Sequence, residues 1–243
     1  ERPELEVPEV TIVPLDENRG LAHALNIGLQ HCDFDVVARA DCDDVSLPNR
    51  FATIIPQFTR RSAASHTTVK SKLPIDVMGS AIREFTDDER QPGQIRMLPA
   101  EGADLEKYAR MQSPVHHPSV VFRKSAVLAA GGYPEDAGRF EDYLLWERMM
   151  LNHAQFLNMP EPLVLYRTNQ EAYERRGGWD MFREELRLQW RFLRDGFTSP
   201  AQFLRNTFIR AAYRMMPTSL RKRAYHSIVS RRNTEISAAP APA

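Results

Sequence analysis

Seven residues constrain this chain most. Ala38-Arg39-Ala40-Asp41-Cys42-Asp43-Asp44 places three carboxylates at the end of an apolar run. The run itself, Phe34-Asp35-Val36-Val37-Ala38, reads as a short buried strand. Val45-Ser46-Leu47-Pro48-Asn49-Arg50 follows as a turn that opens a helix. Carboxylates gathered where a strand ends belong at the crevice where open α/β sheets bind ligands. Three so close repel one another, and a hard divalent cation relieves that repulsion. Such a cation would in turn hold a diphosphate, so the motif points to a metal–nucleotide site.

The rest of the pattern alternates strands with helices, which argues for a mixed α/β domain to about residue 172. Val10-Thr11-Ile12-Val13 reads as a strand, and Asn18 as the cap of a helix carrying Leu21, Leu25 and Leu29. Phe51, Ile54, Ile55 and Phe58 mark the helix after the acidic motif, and residues 60–72 read as a polar loop. Residues 75–82 alternate as a strand, 86–93 are turn-rich, and 105–111 form a short helix. Residues 118–122 are strand-like, and a helix over 123–130 stops at Gly131-Gly132. A helix spans 141–151, and a last strand covers 163–166 after Pro160-Glu161-Pro162. Gly177-Gly178 reads as a hinge into basic helices, and the Ala/Pro-rich end as disordered. The expected division is 1–172, 173–232 and 233–243.

Composition excludes several classes. The 243 residues are 42% hydrophobic and 26% charged, ordinary for a globular protein. Two cysteines, Cys32 and Cys42, do not make a disulfide scaffold and suit a reducing compartment. No run of about 18 apolar residues exists to span a membrane, and no stretch reads as a signal peptide. The net charge of zero hides an asymmetry. Residues 181–232 hold twelve Arg or Lys against three Asp or Glu, so this arm is +9 and the remainder −9.

Several pieces in order resemble the family-2 glycosyltransferases of the GT-A fold. The first is Asn18-Arg19-Gly20-Leu21-Ala22-His23-Ala24-Leu25-Asn26-Ile27-Gly28-Leu29, followed by the acidic motif through Arg50. Then come His117-Pro118-Ser119-Val120-Val121-Phe122-Arg123, Gly131-Gly132-Tyr133, Glu141-Asp142-Tyr143-Leu144-Leu145-Trp146, and Pro160-Glu161-Pro162-Leu163-Val164-Leu165-Tyr166-Arg167. The resemblance covers roughly residues 10–170 and starts near what would be the family's third strand. The strand–turn–helix and second strand that hold the nucleotide base have no counterpart before Val10. The expected fold is therefore an α/β GT-A mixed sheet flanked by helices, N-terminally incomplete, with a helical C-terminal extension.

The resemblance implies roles for individual residues. Asp43 with Asp41 would hold Mg²⁺ or Mn²⁺ bridged to a nucleotide-sugar diphosphate, with Asp41 also serving the ribose or a metal-bound water. Asp142 would take the proton from an acceptor hydroxyl in an inverting transfer, and Glu141 would position the acceptor or its neighbour. His117 would line the phosphate or acceptor side, and Arg39 would neutralise phosphate. Blander accounts exist for each. An acidic loop also caps a helix, with Asp44 or Ser46 as cap, and Glu141-Asp142 also suits a helix dipole. Arg39 and Arg50 also suit pairing with Asp35 and Asp44, Arg50 as a structural residue. His116 reads as a surface histidine. Tyr143 and Trp146 could stack on a sugar, although the spacing of Trp146 from Met149 and Met150 suits a core position. Cys42 between two aspartates is a poor nucleophile.

In the arm, Phe182, Leu186, Trp190 and Leu193 share a helical face with Arg183, Arg187, Arg191 and Arg194 interleaved. This suits a helix lying in an anionic membrane surface, where a lipid-linked acceptor would be presented. The alternative is a hairpin packed on its own domain. No nucleic-acid motif accompanies the charge. The expected activity is sugar transfer from a nucleotide-sugar donor to a glycan or lipid-linked acceptor in cell-surface polysaccharide or lipopolysaccharide synthesis. The expected location is the cytoplasm, peripheral at the inner face of the cell membrane. Two rivals are a non-catalytic remnant that binds a membrane or partner, and a metal-dependent phosphohydrolase.

Overall fold

The computed structural model describes residues 9–60, 74–168 and 178–238. Its centre is a parallel pair, β3 (Val77–Phe85) and β6 (Phe156–Arg167). On one side β5 (Val121–Arg123) joins β3 antiparallel and then accepts β1 (Val36–Ala38). On the other side β2 (Val45–Ser46) runs antiparallel to β6, giving the order β1-β5-β3-β6-β2. β4 (Ile95–Arg96) pairs with the far end of β3.

Period-two alternation divides the sheet's side chains between two cores. Val77, Phe122 and Phe156 point to one face, under α1 (Leu21–Gln30), α3 (Gly102–Ala109), α4 (Lys124–Ala129) and α5 (Glu141–Leu151). Their chain neighbours Met78, Val121 and Leu157 point to the other, under Ile54 and Phe58 of α2 (Arg50–Arg60). Trp146 is fully buried in the first core, packed edge-on against Phe156 and Tyr133. The expected GT-A arrangement, a mixed sheet between helical layers, is the one observed.

Several local expectations are corrected. Residues 10–13 form no strand: Val10 and Ile12 are 77% and 84% exposed, and no described strand pairs with them. Asn18 is not the cap of α1. Gly20 occupies that position at φ 94°, a conformation glycine adopts without strain, and Asn18 Oδ1 accepts the Gly20 N–H at 3.0 Å. Val45-Ser46 is a strand within the expected turn. The last strand starts at Phe156, seven residues before the expected start, and runs through both prolines. The register shifts there, around Ala81, because proline has no N–H for the ladder. The expected loop over 60–72 lies, from 61 onward, outside the described residues.

Beyond Gly178 come α6 (Trp179–Arg194), α7 (Pro200–Met215) and α8 (Thr218–Ala238). Ser199 and Gln202 close a reciprocal capping box at the start of α7, with Pro200 in its first turn. Leu188 and Phe192 of α6, with Phe197, pack on Ala109, Tyr143 and Leu144. Arg210 and Arg214 of α7 both pair with buried Glu185 of α6, Arg214 at 2.8 Å. The extension thus packs on the α/β domain. Residues 233–238, expected within a disordered tail, continue α8, and Asn233 Nδ2 donates to the Ile95 carbonyl. Residues 239–243 lie outside the described residues. No described helix is long and apolar enough to cross a membrane.

Candidate active site

β1 delivers Arg39 and Asp41 to one end of the sheet, and their side chains form an ion pair. Arg39 is held from both sides of its peptide. Its N–H donates to the Val120 carbonyl at 3.0 Å, and its carbonyl accepts from Arg50 Nη2 at 2.7 Å. Arg50 is completely buried and also donates to Ser46 Oγ at 2.8 Å and the Pro118 carbonyl at 3.3 Å. One guanidinium therefore ties the acidic loop to the segment carrying His117. The expected structural role of Arg50 is met through carbonyls. Arg39 pairs with Asp41, whereas Asp35 pairs with Arg123 at 3.3 Å.

The three aspartates have separate surroundings. Asp44 Oδ1 accepts the Arg167 N–H at 2.8 Å, anchoring the loop to the end of β6. Burial, together with the charges of Asp41 and Asp43, raises the Asp44 carboxyl to about 6. Asp43 is exposed, and its carbonyl accepts from Arg167 Nε at 3.0 Å. Arg167 had no role assigned from sequence, although it closes the last of the pieces that carry the resemblance. Among the described residues no group of three His, Cys, Asp or Glu side chains is assembled to hold a metal. The donor chemistry still fits a hard cation: Asp43 offers an exposed carboxylate, and Asp44 Oδ2 is buried without a hydrogen-bond partner.

Glu141 and Asp142 open α5, where the helix dipole favours acids. Asp142 Oδ1 accepts the Tyr143 N–H at 2.7 Å. Burial first, and then the neighbouring Glu141 charge, push the Asp142 carboxyl up to about 7. Burial and the Asp41 charge also raise Glu141. Arg39 acts on both in the opposite direction. The two acidic motifs, about a hundred positions apart in sequence, thus share one electrostatic environment around Arg39.

His117 joins them. Its Nε2 lies 3.2 Å from Tyr133 Oη, and its ring packs on Tyr133 and Trp146. Burial and the nearby Arg39 charge hold its pKa well below the ordinary value, leaving a neutral imidazole. His116 is buried rather than on the surface, with Nε2 3.2 Å from the Arg96 carbonyl. Tyr143 and Trp146 are buried too, so neither presents a face to a sugar. The Tyr143 hydroxyl donates to the Ala109 carbonyl instead.

Sequence reasoning missed the support behind Tyr133. Asn26 of α1 grips the Tyr133 peptide at both ends, at 2.8 Å each. A Cβ on Gly132, which sits at φ 72°, would lie 2.9 Å from Asn26 Oδ1. His23 and Arg19 both reach Glu135, at 3.1 and 3.4 Å. Helix α1 therefore fixes the loop that leads into Glu141. The available signal was the run Arg19-Gly20-Leu21-Ala22-His23-Ala24-Leu25-Asn26, whose polar residues recur at helical spacing.

Known proteins resemble this chain in sequence and in fold. The sequence profile described as Glycosyl transferase family 2 matches residues 4–126. A UDP-Gal:alpha-D-GlcNAc-diphosphoundecaprenol beta-1,3-galactosyltransferase of Escherichia coli is 33% identical over 217 residues, covering 89% of this chain and 74% of that protein. The amylovoran biosynthesis glycosyltransferase AmsE of Erwinia amylovora is 34% identical over 219 residues, covering 89% and 76%. Among solved structures, S. aureus TarS 1-349 in complex with UDP-GlcNAc superposes with a TM-score of 0.50 at 14% identity. That match covers 74% of this chain, which spans about half the length of the TarS chain.

Proposed function

Because the chain belongs to glycosyl transferase family 2, with the GT-A type of fold, we propose that it transfers a sugar from a nucleotide-diphosphate donor to a hydroxyl acceptor with inversion. The observation that carries this reading is the convergence of the Arg39–Asp41 pair with Glu141 and Asp142 at one end of the sheet. The acceptor is a cell-surface glycan intermediate, lipid-linked as in the name of the E. coli relative.

Asp142 is the base. Its carboxylate takes the acceptor proton as that oxygen attacks the anomeric carbon, and the bond from that carbon to the diphosphate oxygen breaks. A carboxyl raised to about 7 is a base matched to neutral pH. Glu141 orients the acceptor beside it. Asp43 with Asp41, the pair the resemblance implies, and the unpartnered Asp44 Oδ2 beside them would hold Mg²⁺ or Mn²⁺, which when bound supplies Lewis-acid neutralisation of the diphosphate charge. Arg39, paired with Asp41, contributes a fixed positive charge for the departing group. Neutral His117, oriented by Tyr133, offers a hydrogen bond on the phosphate or acceptor side.

The test is a panel of nucleotide sugars in calorimetry with and without Mn²⁺, followed by turnover. Asp43→Asn is expected to abolish manganese-dependent donor binding. Asp142→Asn is expected to keep donor binding while transfer falls about a hundredfold or more. Ordinary transfer by Asp142→Asn would remove the assigned base.

A further inference from the structure

The basic arm is sorted by the fold into two sides. Inward, its arginines and Asn206 are engaged by the protein. Arg210 and Arg214 meet Glu185, Arg191 grips Asp136 at 2.8 Å, and Asn206 Nδ2 donates to the Arg110 carbonyl at 2.7 Å. Outward, Trp179, Leu186 and Trp190 of α6 and Leu204, Phe208 and Met215 of α7 are left in solvent. Their spacings place each set on one side of its helix. The rings of Trp190 and Phe203 lie 6.0 Å apart between centroids, so the two outer sides adjoin. Leu204, Phe208 and Trp190 are 68%, 76% and 59% exposed. Six large apolar side chains on two adjoining helices exceed the scattered apolar exposure of an ordinary surface.

The charges around this face are predominantly basic. Arg183, Arg187 and Arg205 are exposed among the apolar residues. α7 contains no Asp or Glu in its sixteen residues. On α6 the three acids are Asp180, Glu184 and Glu185, and Glu185 is buried in its ion pairs. We propose that the outer face of the α6–α7 hairpin docks on an anionic lipid bilayer, lying in the interface with its tryptophans at headgroup depth. Arginine interleaved with tryptophan, leucine and phenylalanine, with Asp180 the one exposed acid on the two helices, complements an anionic headgroup layer above an acyl boundary. The proposal stands on exposure and charge, apart from the transfer chemistry.

The whole chain is to be sedimented with vesicles of phosphatidylcholine alone and of phosphatidylcholine with phosphatidylglycerol. Of three tryptophans, Trp146 is fully buried, so changes in emission report Trp179 and Trp190. Salt-sensitive binding to the anionic vesicles is expected, with emission shifted to the blue and acrylamide quenching reduced. Leu204→Ser with Phe208→Ser is expected to weaken vesicle binding about tenfold or more. Its thermal midpoint and its nucleotide-sugar binding in calorimetry stay unchanged, which keeps a failure of docking distinct from a failure of the transferase reading. Three results would overturn the proposal. One is absence of binding to anionic vesicles. Another is binding that leaves tryptophan emission and the double variant unaffected. The third is a dimer in light scattering that the double variant dissolves, which would make this face a contact between two copies.

Discussion

Glu147 is a carboxyl in an awkward place, and replacing it by glutamine should stabilise the protein in a pH-dependent way. Its side chain lies on α5 with 1% of its surface exposed, and neither carboxylate oxygen has a hydrogen-bond partner. Burial, followed by the charge of Asp195, raises its pKa from 4.5 to about 7, while Arg148 and Arg194 oppose the rise. At pH 4 folded and unfolded chains both largely hold the proton, and the residue has little effect on stability. As pH rises, the unfolded chain releases its proton first while the folded chain keeps it. Stability therefore falls between about 4.5 and about 7 and stays reduced above that window. At about 1.4 kcal/mol per pH unit of displacement, the loss reaches roughly 3 kcal/mol at pH 8. Glu147→Gln removes the ionisation and keeps the shape. Urea unfolding at pH 4 and pH 8 should show the variant gaining roughly 3 kcal/mol on the parent between the two conditions. That corresponds to roughly 6–12 °C in Tm at the higher pH. A variant-to-parent difference that stays the same within about 1 kcal/mol at both pH values would refute the reasoning.

The Asp142 carboxyl, raised to about 7, must be deprotonated to act as base. kcat/KM should rise through that pH to a plateau, and a profile flat from pH 5 to 9 would argue against the assignment. Arg50→Lys should lose at least one of the bonds to Arg39, Pro118 and Ser46 and reduce stability by about 2–4 kcal/mol in urea melts. Transfer should fall with it, because the Arg39 carbonyl loses its anchor. Gly79→Ala puts a Cβ 2.3 Å from Asn158 Oδ1 and 3.2 Å from Val115. Asn158 is fixed by bonds to the Pro99 and Pro114 carbonyls, so calorimetric melting should report a loss of about 1–3 kcal/mol.

Much of the candidate site was legible before any tertiary contact was known. The apolar run into Asp41, the glycine pair before Tyr133, and the acids opening a helix at Glu141 are local signals. A strand end or a helix start needs only neighbouring residues to be read. Helix α5 falls at residues 141–151 as its periodicity indicates, and Trp146 is core as its spacing from Met149 suggests. Where the local signal was contradicted, a distant partner or its absence decided. The prolines at 160 and 162 mark a break by propensity, yet β3 holds the chain in the sheet across them through a register shift. Residues 10–13 have the composition of a strand but no described strand beside them.

Residue types and their order along the chain were enough to identify the family, the alternation of strands and helices, and which acids are candidates for chemistry. They could not say that Arg39 takes Asp41 rather than Asp35, that His116 is interior, or that Asn26 clasps Tyr133. Nor could they separate the arginines spent on Glu185 from those left facing solvent. With 32 basic and 32 acidic side chains in the sequence, charge alone leaves many pairings open. Helical and strand periodicity act over a few residues, whereas these pairings join positions tens to over a hundred apart. Only packing of the helices on the two faces of the sheet brings such positions within hydrogen-bond reach and so chooses among them.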